Sequence, residues 1–524
     1  MTFLFVLVAV AGVACASVRV VVTTTHGPVI GLDQGTHRRW MGIPFALPPV
    51  GPLRFQPPQP PTPWFTPVDA TNMTVACAQS HSGPDTATSN KSEDCLYINL
   101  WAPPAGKYSA PAAIMIYFYG GDFKEGANAF PVLEGRHIAS SSNTIVVVPN
   151  YRLGALGFLF VNGGNFGLLD QQRAIAWTYA NAAAFGGDQK RITIFGQSAG
   201  GQSVLVHLTE PAAPTAPMIF GAIVESGPIN LVWKMPPEAT LLADAFAALL
   251  GCSTGTPIPD LACLCNATTA QVITAGDQAI VIPLSASSAI QRWAPVIDGS
   301  TVTGQTIDHF ANGHILDVPL AIGSNEKDGM LFSWAIAGGK PMGWTEYAGI
   351  VLGIFQSDYY PAILATYPPD FGGDNRPILS ELLTDFFMTC TARFTARAAE
   401  KAGNANTFLY RFSRKPPFKV WPKGQSYCNF EPCHGSELPY VFYDSGAPFP
   451  WNLTAADRSL GLAMSTFWSA FAATGAPGVG WPVYRNATDQ SIEFDWPITT
   501  VTGLRREQCD FLDRVGYVHG FGKI

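Results

Sequence analysis

Charge is scarce in this chain: Asp, Glu, Lys and Arg make up 13% of 524 residues, about half the share of an ordinary soluble domain. With 47% hydrophobic residues, the composition excludes a disordered polyelectrolyte and points to a large buried core. Lys and Arg total 31 against 38 acidic residues, a net charge of −7. No basic stripe exists to neutralise phosphates, which excludes nucleic acid as a partner class. Low-complexity stretches, charge runs, internal repeats and long Gly/Ser linkers are also missing. Without such dividers, residues 17–524 are expected to form one large domain. Nor is there a clean apolar run of the ~20 residues needed to span a bilayer, which excludes a transmembrane anchor. The apolar run 3–13 is too short and leads into Ala14-Cys15-Ala16, so residues 1–16 read as a secretory signal peptide. The other apolar window, 467–473, is interrupted by Trp, Ser and Thr and reads as a core helix.

Secretion fits what is present. Asn-x-Ser/Thr sequons at Asn72, Asn90, Asn266, Asn452 and Asn486 are expected glycan sites in the secretory route. Of ten cysteines, Cys15 leaves with the signal, and the odd number that remains implies one unpaired thiol. A metal site competes for clustered cysteines, but no Cys-x-x-Cys or paired-histidine spacing supports it.

The chemistry centres on Gly196-Gln197-Ser198-Ala199-Gly200. It follows the β-branched run Arg191-Ile192-Thr193-Ile194-Phe195 and precedes a segment that reads as a helix. Strand, sharp turn and helix form the context of a nucleophile elbow, in which glycines on both sides permit a strained turn and raise the serine hydroxyl clear of the sheet.

Upstream, residues 18–32 read as β structure with a turn at His26-Gly27-Pro28, and the proline-dense segment 41–55 reads as neither helix nor central strand. Residues 113–119, 144–148, 221–225 and 318–322 read as buried strands. Residues 171–184, 242–250 and 379–399 read as helices, the last two as a lid or wall over the site. This alternation implies an α/β fold with a parallel sheet covered on both faces.

The segment Met41-Gly42-Ile43-Pro44-Phe45 through Leu53-Arg54-Phe55 resembles the N-terminal signature of the type-B carboxylesterase/cholinesterase/lipase family. Similar blocks follow in order: Ser92-Glu93-Asp94-Cys95-Leu96, Asn150-Tyr151-Arg152-Leu153-Gly154, Gly164-Asn165-Phe166-Gly167-Leu168-Leu169-Asp170 and Phe185-Gly186-Gly187-Asp188. The resemblance covers residues 21 to 509. It implies the α/β-hydrolase fold, with a large central, mostly parallel sheet, helices on both faces and a helical C-terminal region. It also implies that Arg54 with Glu93, and Arg152 with Asp170, are structural ion pairs rather than catalytic groups.

For the site, the resemblance implies Ser198 as nucleophile, with an acid and a base after it in chain order. That order leaves His434 and His519 as candidate bases. His434, in Cys433-His434-Gly435-Ser436-Glu437, is similar to the family's catalytic block. Asp328 and Glu326 compete for the acid; the family's acid immediately precedes a glycine, which selects Asp328 before Gly329, although most members carry Glu there. From Tyr119-Gly120-Gly121-Asp122-Phe123, the oxyanion donors carried over are the N–H groups of Gly121, Asp122 and Ala199. Asp122 departs from the usual Gly or Ala, and Gln197 from the usual Glu. A carboxylate near a developing oxyanion opposes it unless turned away.

The resemblance also pairs Cys77 with Cys95, Cys252 with Cys263, and Cys390 with Cys509. Cys428 and Cys433 fall outside that pattern and are left to pair with each other around His434, with Cys265 the odd thiol. The expected activity is secreted carboxylic ester hydrolysis on a small-molecule substrate, without a cofactor. A cholinesterase is disfavoured because the Cys77 to Cys95 loop lacks the Trp with which choline-binding relatives hold the cation. A lipase or sterol esterase on the same triad, and a non-catalytic adhesion or interaction protein, are the alternatives.

Overall fold

Runs of β-branched and aromatic residues, punctuated by Gly and Pro, become strands. In a computed structural model, residues 17–72, 75–80, 90–256, 259–281, 290–419, 421, 423–443 and 453–517 are described. The segment 1–16 expected to be a signal peptide, Asn452 and His519 lie outside them. The strands are β1 (Val18–Thr24), β2 (Gly27–Asp33), β3 (Arg38–Pro44), β4 (Val68–Asp69), β5 (Ala76–Cys77), β6 (Lys91–Ser92), β7 (Tyr97–Ala102) and β8 (Ala112–Phe118). They continue with β9 (Thr144–Pro149), β10 (Gly187–Gln197), β11 (Gly221–Glu225), β12 (Leu320–Asn325), β13 (Thr407–Phe412), β14 (Gln490–Phe494) and β15 (Thr499–Thr502).

One sheet runs in the order β1-β2-β3-β7-β9-β8-β10-β11-β12-β13-β14-β15, with β4 on β2, while β5 and β6 pair separately. Neighbours from β9 to β14 are parallel, and both flanks are antiparallel. Every residue of β8, β9, β11 and β12 is buried, which requires cover on both faces. The helices Phe166–Asn181, Ala199–Thr209, Cys390–Lys401 and Ala455–Thr474 pack on these central strands, giving the α/β-hydrolase arrangement.

Two local expectations are corrected. Met41 to Pro44 belong to β3, between β2 and β7 inside the sheet, rather than to irregular chain. Gly42, at φ 92°, interrupts the register between Met41 and Ile43. Pro44 is the strand's last residue, where its missing N–H does not break a continuing ladder. The expected helix 379–399 is Arg376–Leu383 and Cys390–Lys401 joined by a π-helical turn, Thr384–Thr389. Disulfides join Cys77–Cys95, Cys252–Cys263, Cys390–Cys509 and Cys428–Cys433, and Cys265 is free. Asn72, Asn90, Asn266 and Asn486 are exposed.

Arg54 donates to both carboxylate oxygens of Glu93 and caps the carbonyls of Leu264, Cys265 and Ala267. Arg152 forks onto Asp170 at 2.7 and 2.8 Å, with the two side chains 3% and 0% exposed. Asp170 also accepts the Arg152 backbone N–H at 3.0 Å, and Arg152 reaches the Gln56 carbonyl. Breaking such a pair leaves a charge buried without compensation. Asp170→Asn should therefore lower the free energy of unfolding by about 3–5 kcal/mol, read from urea denaturation; a loss below about 1 kcal/mol would contradict the structural role.

Candidate active site

The chain leaves β10 into the helix Ala199–Thr209 through Ser198, which adopts φ 59° and ψ −125°. Close approach demands glycine on both sides: a Cβ on Gly200 would stand 1.9 Å from the Phe118 carbonyl oxygen, and one on Gly196 2.5 Å from the Gly200 backbone. The turn is held by Ser198 N–H donating to the Glu225 carbonyl at 2.9 Å, and by Gln202 N–H donating to the Ser198 carbonyl at 2.9 Å. Ser198 itself is half-buried, at the C-terminal end of the central strands.

Asp328 follows β12 and His434 follows the Cys428–Cys433 disulfide. Several contacts hold the two loops together: Lys327 N–H donates to the Pro432 carbonyl, Asn325 Nδ2 to the Cys433 carbonyl at 2.8 Å, and Lys327 Nζ pairs with Glu431. Across this seam His434 Nδ1 lies 2.8 Å from Asp328 Oδ1, with the side chains 6% and 0% exposed. Asp328 Oδ2 accepts from Ser226 Oγ at 2.9 Å and from the Asn325 N–H at 2.6 Å. A carboxylate only accepts, so Nδ1 carries the proton, and Nε2 of the neutral ring keeps a lone pair. That lone pair faces the elbow, where the Gln197 amide nitrogen lies 3.2 Å away. Phe332 packs edge-on against the imidazole at 5.1 Å. Glu326, the competing acid, is exposed.

The third element is the loop after β8. A Cβ on Gly120 would meet the Gln197 carbonyl at 2.7 Å and Ser198 Cβ at 2.8 Å, so this backbone runs directly past the nucleophile. Gly121, Asp122 and Phe123 all have positive φ, 106°, 57° and 56°. The loop is anchored at its start by the stacked Tyr119 and Tyr151 rings, 4.5 Å apart, and at its end by the Gln79 amide, which bonds both the N–H and the carbonyl of Gly126. Among the described residues, no group accepts from the N–H of Gly121, Asp122 or Ala199. The Asp122 carboxylate pairs with Lys124 Nζ at 3.0 Å. Beside it opens a cavity of about 340 Å³, lined by Asp122, Lys124, Leu156, Val272, Arg292 and Trp293 among others.

Residues 18–512 match the model of the carboxylesterase family. The chain belongs to the carboxylesterase family. It is 32% identical to the cholinesterase of Mus musculus over 94% of this chain and 86% of that protein. Two proteins of Dictyostelium discoideum are similarly related: the crystal protein, 33% identical over 80% of this chain and 76% of its own length, and the cAMP-regulated D2 protein, 31% identical over 95% and 93%.

Beneath the site of this carboxylesterase-family chain lie two fully buried carboxyls to which the sequence reading gave no role, Glu225 at the end of β11 and Glu437, the last residue of the block quoted around His434. Glu225 closes an apolar strand run, whereas Glu437 stands in the block that carries His434. Glu225 accepts from Trp468 Nε1 at 2.6 Å, and Glu437 from Asn325 Nδ2. Burial, and then the Glu437 charge, push the Glu225 carboxyl well above the usual carboxylate range. Burial, followed by the Asp328 charge, raises Glu437 to about 7. Between pH ~4.5 and about 7 the native state thus holds a proton at Glu437 that the unfolded chain has lost, so this group's contribution to stability falls as pH rises. The stability of Glu437→Gln relative to the natural chain should therefore improve from pH 5 to pH 8 in urea titrations, and a difference independent of pH would contradict the assignment.

Proposed function

We propose that this protein is a secreted carboxylic ester hydrolase working through an acyl-serine intermediate. The observation that carries the reading is the Asp328–His434 hydrogen bond at 2.8 Å, with His434 Nε2 3.2 Å from the amide of Gln197, the residue before the strained Ser198. In this scheme Ser198 Oγ attacks the ester carbonyl carbon while His434 Nε2 takes its proton. Asp328 holds the ring in the Nδ1–H tautomer and stabilises the imidazolium. The N–H groups of Gly121, Asp122 and Ala199 receive the tetrahedral oxyanion. His434 then protonates the departing alkoxide oxygen, and a water, deprotonated by the same Nε2, releases the acid and restores Ser198. The Gln197 amide gives up Nε2 to the serine hydroxyl when substrate binds.

Secretion is supported by the signal-like segment 1–16, four disulfides and exposed sequon asparagines. Among the described residues no helix is long and apolar enough to cross a membrane. The non-catalytic alternative drew its support from Asp122, and the 3.0 Å contact with Lys124 weakens it.

The purified protein should hydrolyse p-nitrophenyl butyrate and react with a fluorophosphonate label. Ser198→Ala should lower kcat by at least about 10⁴-fold and abolish labelling. Equal turnover in the two proteins, or no turnover and no labelling of folded protein, would overturn the esterase reading. A chain-length series of p-nitrophenyl esters separates esterase from lipase.

A further inference from the structure

The Asp122 carboxylate is an anomaly in a place built to stabilise negative charge, and the groups around it come from distant parts of the chain. Lys124 Nζ sits 3.0 Å from its Oδ2. Burial raises the Asp122 carboxyl above the usual carboxylate range, and Lys124, the Gln291 side chain and the Lys234 ammonium act in the opposite direction, favouring its charged form. Lys234 is 4% exposed, and its ammonium donates to the Gln291 carbonyl. Burial pushes this amine down to about 8, with the Glu238 and Asp122 carboxylates pulling the other way. Gln291 in turn exchanges two amide hydrogen bonds with Gln202, at 2.8 and 3.1 Å. Gln202 is on the nucleophile's own helix, bonded to the Ser198 carbonyl. Asp122 and Lys124 both line the cavity beside the loop, whereas Ser198, Ala199 and His434 do not. The carboxylate is thus drawn to the cavity side of its loop.

A buried ammonium without a carboxylate at bonding distance is costly to keep, and a carboxylate in an oxyanion site opposes the charge that develops there. The two costs offset each other when the charges face one another. We propose that Lys124, Lys234 and Gln291 are positioning residues that hold the Asp122 carboxylate on the cavity side, so that Asp122 presents its backbone N–H to the oxyanion without its negative charge. This rests on the esterase reading above and adds to it the device by which the chain tolerates an acid at this position.

The test uses the full chain, with kcat and KM for p-nitrophenyl butyrate. Lys124→Met removes an exposed partner and leaves the core intact. Lys234→Met removes the buried one, and the two are also combined. The combined variant should lose at least about 10-fold in kcat, less than the about 10²–10³ lost when an oxyanion donor is removed outright, with KM changed less than about 3-fold. Adding Asp122→Asn to that variant should recover at least about 10-fold, whereas Asp122→Asn in the natural background brings no such gain. An unchanged kcat, or a loss that Asp122→Asn does not recover, overturns the proposal. Failure of the esterase reading looks different, because the natural chain itself would then neither turn over nor label. In that event thermal unfolding decides: Asp122→Asn should offset part of the Tm lost in Lys234→Met, and strictly additive shifts would overturn the positioning role.

Discussion

The backbone at Ser198 holds φ 59° and ψ −125°, a conformation that costs a non-glycine residue on the order of 1–3 kcal/mol and persists only where its surroundings over-determine it. The central sheet supplies that determination. Parallel pairing places the ends of β8, β10 and β11 side by side, so the Phe118 and Glu225 carbonyls both converge on the turn. Gly196, Gly200 and Gly120 are the points at which three backbones pass too closely for a Cβ. The loops that carry Asp122, Asp328 and His434 leave the same edge of the same sheet.

Around that turn, charge is arranged in layers. Asp328 accepts from the imidazole, a serine and a backbone N–H, which keeps an anion in place at zero exposure. Below it, Glu225 and Glu437 are pushed towards their neutral forms by burial, so further negative charge does not accumulate under the imidazole. Gln197 continues the pattern by putting a neutral amide where the family usually carries a carboxylate. Burial raises the Asp122 carboxyl in the same direction, but there Lys124, paired with it at 3.0 Å, acts against the shift.

Much of this was legible in the residues. The elbow came from a local motif, while the loop from Tyr119 to Phe123, His434 and the choice of Asp328 over Glu326 came from the family resemblance; the structure brings Asp328 and His434 into contact and leaves Glu326 exposed. The strands were legible because buried parallel strands are short apolar runs. β3 was misread because Pro44 closes a strand whose bulge at Gly42 has no short-range signature. The partners of Asp122 were invisible for another reason: Lys234 and Gln291 stand more than a hundred residues downstream in segments without a motif. Glu225 was passed over because a lone acid in an apolar run has no signature of its own until burial is known, and Glu437, though inside the His434 block, gave no sign of its burial.

Family membership sets the frame for these residues, and the central claim is that Asp328, held at zero exposure, orients His434 for the serine. The measurement that bears on it most directly is kcat for Asp328→Asn beside Glu326→Gln on a p-nitrophenyl ester. The account predicts a fall of about 10⁴-fold for Asp328→Asn, because an amide at that place favours the wrong tautomer, and a near-unchanged Glu326→Gln. A large loss in Glu326→Gln with Asp328→Asn active would contradict it.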